Sequence, residues 1–600
     1  MAALSALTEV SAEHALALAR GKVGLALSGG GFRASLYHLG VLARLAEMDV
    51  LRHVEALSTV SGGSIVGAHY YLKLLKMLES SPDKALGAKD YVKLVDELIA
   101  EFMKGIRTNL RMQTLSSLPS NLRMVVDKSY TRSTRLGDLY DRYFYPREGR
   151  LAVGKGPVAM SELLVTPNGT PPASSFNPKF SNWRRNNKVP VLLLNATPLN
   201  TGHGWHFTAR SMGVPPGLAR NEIDCKPRYR RLYYSQAPTE ALQRFRLGHA
   251  AAASAGVPGL FEPIVLDGLY PERTVRLVDG GVHDNQGVEA LLNEGCNFIL
   301  CSDASGQMGE EREPPSSTIG VLRRTNSVMM DRVRDAQYLD LDARKQSRSL
   351  TGLVFLHLKK DIGAEKLDWI RSQDPSPTTA PQHLLPYGIN RDIQEKLADL
   401  RTDLDAFTDE EAAALMASGY LMTQQELELL DELEGNGSGR WGGFDIKAPQ
   451  GNWPFLQPEF LNLLAARPDA TPERTGLGKR LKIGSGLFFK VLRVDTWSWV
   501  IAIALLAAVV IGAWFVAGDW VTAWFEREVR VRDLALAALL AVAVLVVPVL
   551  GWLRPDNIVR KWAVRLAFAV LGWIACNAYL LLFNKRYLAS GRLQGFYDTK

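Results

Sequence analysis

The chain has 600 residues, too many for one ordinary domain, so at least two units are expected. Its apolar share of 47% is average for a globular protein but uneven, since the sequence reads as soluble to about residue 490 and turns strongly apolar beyond it. The net charge of +8 would suit nucleic acid or an anionic membrane, and because much of the excess flanks the apolar C-terminal segments, the membrane is the better reading. Cys225, Cys296, Cys301 and Cys576 have no paired C-x-x-C spacing, so neither a disulfide framework nor a zinc site is expected, and no calcium site or other cofactor either.

The first residues carry glutamates and lack a basic segment followed by a long apolar run. They do not read as a secretory signal, so the large N-terminal part is expected on the cytoplasmic side of a membrane. From residue 20 to about 360, short β-branched runs alternate with helical patterns, as in α/β folds. Val23–Leu27, Val54–Val60, Val189–Leu194, Val275–Val278, Phe298–Cys301 and Leu353–Leu358 are the strand candidates, several of them the continuous apolar runs of buried, mostly parallel strands.

The first of these strands runs into Ser28-Gly29-Gly30-Gly31-Phe32-Arg33, and a helix with Leu36, Leu39, Leu42 and Leu45 follows. Glycines here allow a tight turn whose N–H groups converge beside a helix N-terminus, a nest for a phosphate or a developing oxyanion. A plain strand-to-helix turn is the bland alternative. A P-loop is disfavoured, because no G-x-x-x-x-G-K-[ST] is present.

The second strand ends at Val60 and is followed by Ser61-Gly62-Gly63-Ser64 and a helical pattern, the layout of a nucleophile elbow. The first glycine of G-x-S-x-G is replaced by Thr59. Ser61 is preferred over Ser64, since the strand should stop just before the nucleophile. Either serine alone would equally suit the N-cap of a core helix.

Residues 105–150 form a basic insertion, and 165–188 form an exposed loop rich in Pro, Ser and Asn. The cluster Lys226-Pro227-Arg228-Tyr229-Arg230-Arg231-Leu232-Tyr233-Tyr234 suits a lid or a phosphate headgroup better than nucleic acid, with a solvated loop as the plain alternative. A strand then ends in Val278-Asp279-Gly280-Gly281, where an acidic side chain backed by glycines can approach another loop closely. An Asx-turn would use the same residues. His283, His357 and His383 lie downstream in the order an α/β-hydrolase triad would need, and Asp303 is a rival acid.

Residues 386–435 read as a helical extension and 436–475 as a linker. In 476–600, Trp499–Ala517 and Leu534–Leu553 have no internal charge and are each about 20 residues, long enough to span a bilayer. Trp562–Phe583 is a weaker third candidate because of Arg565 and Asn577. Trp497, Trp499, Trp514, Trp520, Trp552 and Trp562 stand near the ends, as an aromatic belt requires. The three motifs lie before residue 290, so a cut near 475 is expected to separate the chemistry from the anchor.

Together the motifs resemble the patatin-like phospholipases. Gly29, Gly30, Gly31 and Arg33 match that family's oxyanion loop, Ser61 with Gly62 and Gly63 its elbow, and Asp279 with Gly280 and Gly281 its acid motif. Residues 251–266 also resemble the stretch that precedes the acid in that family. The resemblance, over about residues 20–360, implies a patatin-like α/β/α domain with a mostly parallel central sheet, here assigned to residues 1–385; the helical segment and C-terminal transmembrane helices expected after it are read from the sequence pattern. It further implies a serine acyl hydrolase with a Ser61–Asp279 dyad that cleaves membrane phospholipid or lysophospholipid esters, without nucleic acid and without metal. A Ser-His-Asp esterase and a non-catalytic membrane scaffold are the competing readings.

Overall fold

A computed structural model of the chain describes residues 20–171, 176–216, 226–306, 308–364, 366–374, 376, 382–487, 490–494, 496–504, 507 and 558–597. They divide into two compact units. The larger comprises Met1–Arg111, Thr131–Leu487 and Gly591–Lys600, and the smaller Met112–Tyr130 and Phe488–Ser590.

The larger unit is built on a ten-stranded sheet. Strands β1 (Val23–Leu27), β2 (Val54–Val60) and β3 (Val191–Pro198) are followed by the short β4 (Trp205–Phe207), β5 (Ser211–Gly213) and β6 (Leu232–Tyr233). The hairpin β7 (Ile264–Tyr270) and β8 (Arg273–Asp279) comes next, then β9 (Phe298–Asp303) and β10 (Gly352–His357). The spatial order is β10-β9-β1-β2-β3-β4-β5-β6, with β8 pairing both β3 and β7.

The run from β10 to β3 is parallel, and β4 to β8 extend it in antiparallel fashion. The parallel strands are almost wholly buried, which is why they stand out in the sequence as apolar runs. Of the antiparallel strands only β8 carried such a signal, as Val275–Val278. Three of the others have two or three residues, and β7 is broken by an exposed Asp267-Gly268.

Helices α1 (Gly31–Glu47) and α2 (Gly62–Ser80) leave β1 and β2, and α3 (Arg132–Tyr143) packs against α4 (Leu247–Ser254). Further along lie α5 (Thr318–Gln346), α6 (Asp409–Glu434) and α7 (Pro472–Gly484). Both segments after residue 385 are built into the core. Helix α6 starts in a Thr408–Glu411 capping box and packs along α1, where the Tyr420 hydroxyl donates to Glu47 Oε2 (2.5 Å).

The stretch 436–475 is not a free linker. Trp441, Phe444, Ile446, Trp453, Phe455 and Leu464 are buried in the main apolar cluster, and Glu47 Oε1 accepts from Gly451 N–H and Trp453 Nε1–H. Its glycines and prolines mark turns between packed pieces, a distinction composition cannot make. The chain end belongs here too, since Phe596 is buried and the Arg107 guanidinium donates to the Phe596 and Tyr597 carbonyls.

In the smaller unit, α8 (Ile558–Tyr579) continues through a π turn at Leu580–Asn584 into Lys585–Ser590. Within it Arg565–Ser590 is, among the described residues, the one helix long and apolar enough to cross a membrane. The amide of Asn577, which weakened this candidate in the sequence, donates to the carbonyls of Ser116 and Trp573. The expected span Leu534–Leu553, and Trp499–Ala517 from about residue 505 on, lie outside the described residues, as do Trp514, Trp520 and Trp552.

Candidate active site

Ser61 and Asp279 are far apart in sequence, and β3 brings them together. The last pair between β2 and β3 is Val60 with Asn195, and the next residue of β3, Ala196, pairs with Asp279 at the end of β8. Ala196 also pairs with Trp205 of β4, which takes the other edge. Strands β2 and β8 therefore abut end to end along one edge of β3, and the residues at their ends meet.

At this junction the Ser61 side chain stands beside the Asp279 carboxylate, near enough to favour its ionised form. Ser61 sits at φ 49°, ψ −117°, a region that non-glycine residues avoid at a cost of about 1–3 kcal/mol. A nucleophile elbow calls for a strained turn of this kind. The strain is held by neighbours: Ser61 N–H donates to Ser254 Oγ (3.0 Å), and Gly63 N–H to the Ser28 carbonyl (3.2 Å).

Gly62 lies so close to the Gly31 carbonyl that a Cβ would overlap it, and the Ser35 hydroxyl donates to the Gly62 carbonyl (2.7 Å). Thr59, where a glycine was missing from the motif, is accommodated because its γ-methyl fills the space left open by Gly67. The rival Ser64 is fully buried, and its hydroxyl is held between Thr59 Oγ1 (2.9 Å) and Ser254 Oγ (2.8 Å).

Asp279 is buried, and burial pushes its carboxyl up to about 6, against the pull of the Gly281 N–H hydrogen bond and of the neighbouring Ser61 hydroxyl. The Gly281 N–H bond is 2.8 Å long, and it orients the carboxylate. Asp279 N–H donates to the Gly256 carbonyl, and Thr197 Oγ1 to the Asp279 carbonyl, so the backbone on both sides is pinned. Gly280 passes so near the Asn195 backbone that a side chain would overlap it.

In the glycine turn, Gly30 and Gly31 have φ 136° and 58°, which a side chain would resist. Gly29 N–H is already donated to the Asn285 carbonyl (3.0 Å). The amides of Gly30, Gly31 and Gly62 have no protein partner among the described residues. The Arg33 guanidinium is buried and donates to the carbonyls of Ala398 (2.6 Å), Leu400 (2.8 Å) and Ala304 (3.1 Å), tying α1 to the start of the C-terminal extension.

The competing residues are engaged elsewhere. His283 is bonded to the Gly202 carbonyl and to Glu289 Oε2; burial works against its protonation, but Glu289 outweighs it and raises the pKa. His357 Nδ1 accepts from Lys359 N–H on the far strand β10, and His383 is exposed. Asp303 spends its carboxylate on Gln286 Nε2 and on the amide and hydroxyl of Ser305. Among the described residues no cluster of His, Cys, Asp and Glu has the form of a metal site.

Sequence reasoning missed Ser254, which holds the Ser61 amide, and Asn285, whose side chain lies against both Gly29 and Gly281. It also missed Tyr140, a buried phenol held well above its ordinary pKa, by burial first and also by the Asp279 charge. The stretch 251–266, noted for its resemblance, contains Ser254 and was the one available signal.

Residues 25–292 match the family model described as patatin-like phospholipase. Among solved structures, the chain is similar to human GIVD cytosolic phospholipase A2 in complex with methyl γ-linolenyl fluorophosphonate and terbium chloride. Identity is 13%, the TM-score is 0.37, and the match covers 70% of this chain and 60% of that one. It is similar also to VipD from Legionella pneumophila, at 15% identity and a TM-score of 0.27, over 96% of this chain and 89% of that one. The chain thus spans only 60% of the human enzyme's length, and scores this low do not align the folds residue by residue. No curated protein matches. Residues 25–292, which contain the glycine turn, Ser61 and Asp279, are a patatin-like phospholipase domain.

Proposed function

We propose that this chain is a membrane-anchored acyl hydrolase that cleaves carboxylic esters of phospholipids or lysophospholipids through a Ser61 acyl-enzyme. The observation that carries the reading is the junction on β3 at which a strained Ser61 meets a desolvated Asp279. Asp279 takes the hydroxyl proton as Ser61 Oγ attacks the ester carbonyl. The free amides of Gly30 and Gly31 receive the negative charge of the tetrahedral oxygen, while Gly29 and Arg33 brace the turn from behind. Protonated Asp279 then delivers its proton to the departing alcohol oxygen. In the second half-reaction a water attacks the acyl-serine, Asp279 takes its proton, and Ser61 recovers its own as the fatty acid leaves.

A carboxylate with an ordinary pKa would be a weak base near neutrality, and burial moves this one toward the working range. The lipid substrate follows from the family and from α8 and the π turn after it, where Phe568, Leu571, Ile574 and Leu581 are exposed, as lipid-facing side chains would be. The reading is tested by assaying the purified full-length protein against phospholipids and lysophospholipids, beside a Ser61→Ala control. Fatty-acid release that the control lacks supports it, and release that the control retains removes it.

A further inference from the structure

Helix α5 runs for 29 residues, and Leu341 is its one fully buried side chain. Ile319, Leu322, Met329, Met330 and Val333 recur at three- and four-residue spacing and so share one face. That face is open to solvent: Ile319 is 82% exposed, Leu322 65% and Met329 64%. Surface leucines and methionines are ordinary singly, but a continuous row of them marks an interaction site.

The charges beside the row are one-sided. Residues 318–333 contain Arg323, Arg324 and Arg332 and one acid, Asp331, which pairs with Arg334 and lines the cavity described below, whereas Asp335, Asp340 and Asp342 gather in the second half of the helix. Arg324 is bound to Glu311 and to the Gly309 carbonyl, but the exposed guanidinium groups of Arg323 and Arg332 have no partner among the described residues. An exposed apolar row with unpaired arginines is the pattern of a helix lying in the headgroup region of an anionic bilayer.

The same helix walls a cavity of about 290 Å³, to which it contributes Arg324, Ser327 and Met330. The opposite wall includes Ser305, Met308 and Asn285. Asn285 is the residue that touches Gly29 and Gly281, so this cavity borders the catalytic loops.

We infer that the first half of α5, from Thr318 to Val333, is the surface by which the catalytic domain docks onto an anionic lipid bilayer, with the cavity beneath it adjoining the route to Ser61. This rests on the acyl-hydrolase reading for its purpose, but the surface itself is testable without catalysis.

The full-length chain is reconstituted into phosphatidylcholine vesicles with and without phosphatidylglycerol. In Leu322→Cys carrying a nitroxide, read as the difference from the labelled parent chain, the label should be shielded from a water-soluble relaxing agent when phosphatidylglycerol is present. A label as accessible as one at Asp342→Cys overturns the docking surface, whether or not any ester is cleaved. The triple variant Ile319→Ser, Leu322→Ser, Met329→Ser should lose about tenfold or more in hydrolysis of vesicle lipid while keeping its rate on a water-soluble short-chain ester. The pair Arg323→Gln, Arg332→Gln should lose the stimulation by phosphatidylglycerol. Unchanged vesicle rates in both variants overturn the inference. So does a wild-type dimer that the triple variant dissociates, which would assign the face to a second copy. Absence of all ester hydrolysis in the wild type, with the nitroxide shielded, would reject the acyl-hydrolase reading and leave the docking surface standing.

Discussion

Ser61 and Asp279 meet where two strands end against the same edge of β3, at Asn195 and Ala196. Every interaction around the pair serves to hold that junction. Ser254 and Ser35 fix the serine turn, and Gly281 and Thr197 fix the acid.

Replacing Ser61 by Ala should lower turnover by about a million-fold, if the serine-protease precedent transfers. A fluorophosphonate probe should label the wild type at Ser61, read by peptide mass. Ser64→Ala removes one link of the Thr59–Ser64–Ser254 chain and should cost stability of about 1 kcal/mol, with the acyl-enzyme still formed. Labelling at Ser64 would reverse the assignment.

Asp279→Asn should abolish turnover and stabilise the protein near neutral pH. The carboxyl's folded-state pKa, about 6, lies above its ordinary 3.8, so the protonated form is the one the fold favours. Its contribution to stability is complete below about pH 4 and is lost as pH rises through 6, a difference on the order of 3 kcal/mol. Denaturant melts across this range should therefore show a downward slope in the wild type that the Asn variant lacks. Equal slopes in the two proteins would mean that Asp279 is not desolvated.

Activity should rise through about pH 6 as Asp279 ionises. An unperturbed histidine would titrate close by, so the limb alone does not separate a dyad from a triad. The separating measurement is the same profile in His283→Ala, His357→Ala and His383→Ala. Each should keep both the limb and the rate within a fewfold of the wild type, because none of the three bonds to Ser61 or Asp279.

Arg33 is expected to act by bracing. Arg33→Met leaves three buried carbonyls without a donor and should lower stability by about 3 kcal/mol or more. The catalytic constant of the folded fraction should change little. Were Arg33 to touch the oxyanion, kcat would fall at temperatures where the variant is fully folded.

A chain cut near residue 475 should not yield a soluble active domain. It removes buried Leu477 and Leu481 of α7, and with them Phe596, all in the main core. Loss of a cooperative thermal transition in the truncated protein checks this, and a sharp transition with full activity would restore 436–475 as a boundary.

Most of the candidate site was legible in the sequence because its motifs are local. A glycine triplet after a buried strand, a serine between a strand and a helix, and an aspartate before two glycines each carry their geometry in adjacent residues, and the parallel strands declare themselves as apolar runs. The tertiary structure decided everything that depends on what lies opposite. Only strand pairing places Asp279 beside Ser61, and only packing separates Ser61 from Ser64, by enclosing the second hydroxyl between Thr59 and Ser254. Likewise, only the fold reveals that Gly29 N–H and the Arg33 guanidinium are already donated, and that 436–475 is core. A hydrogen-bond partner or a burying neighbour hundreds of residues away leaves no mark on the local sequence, because the constraint acts through the closed sheet and not along the chain.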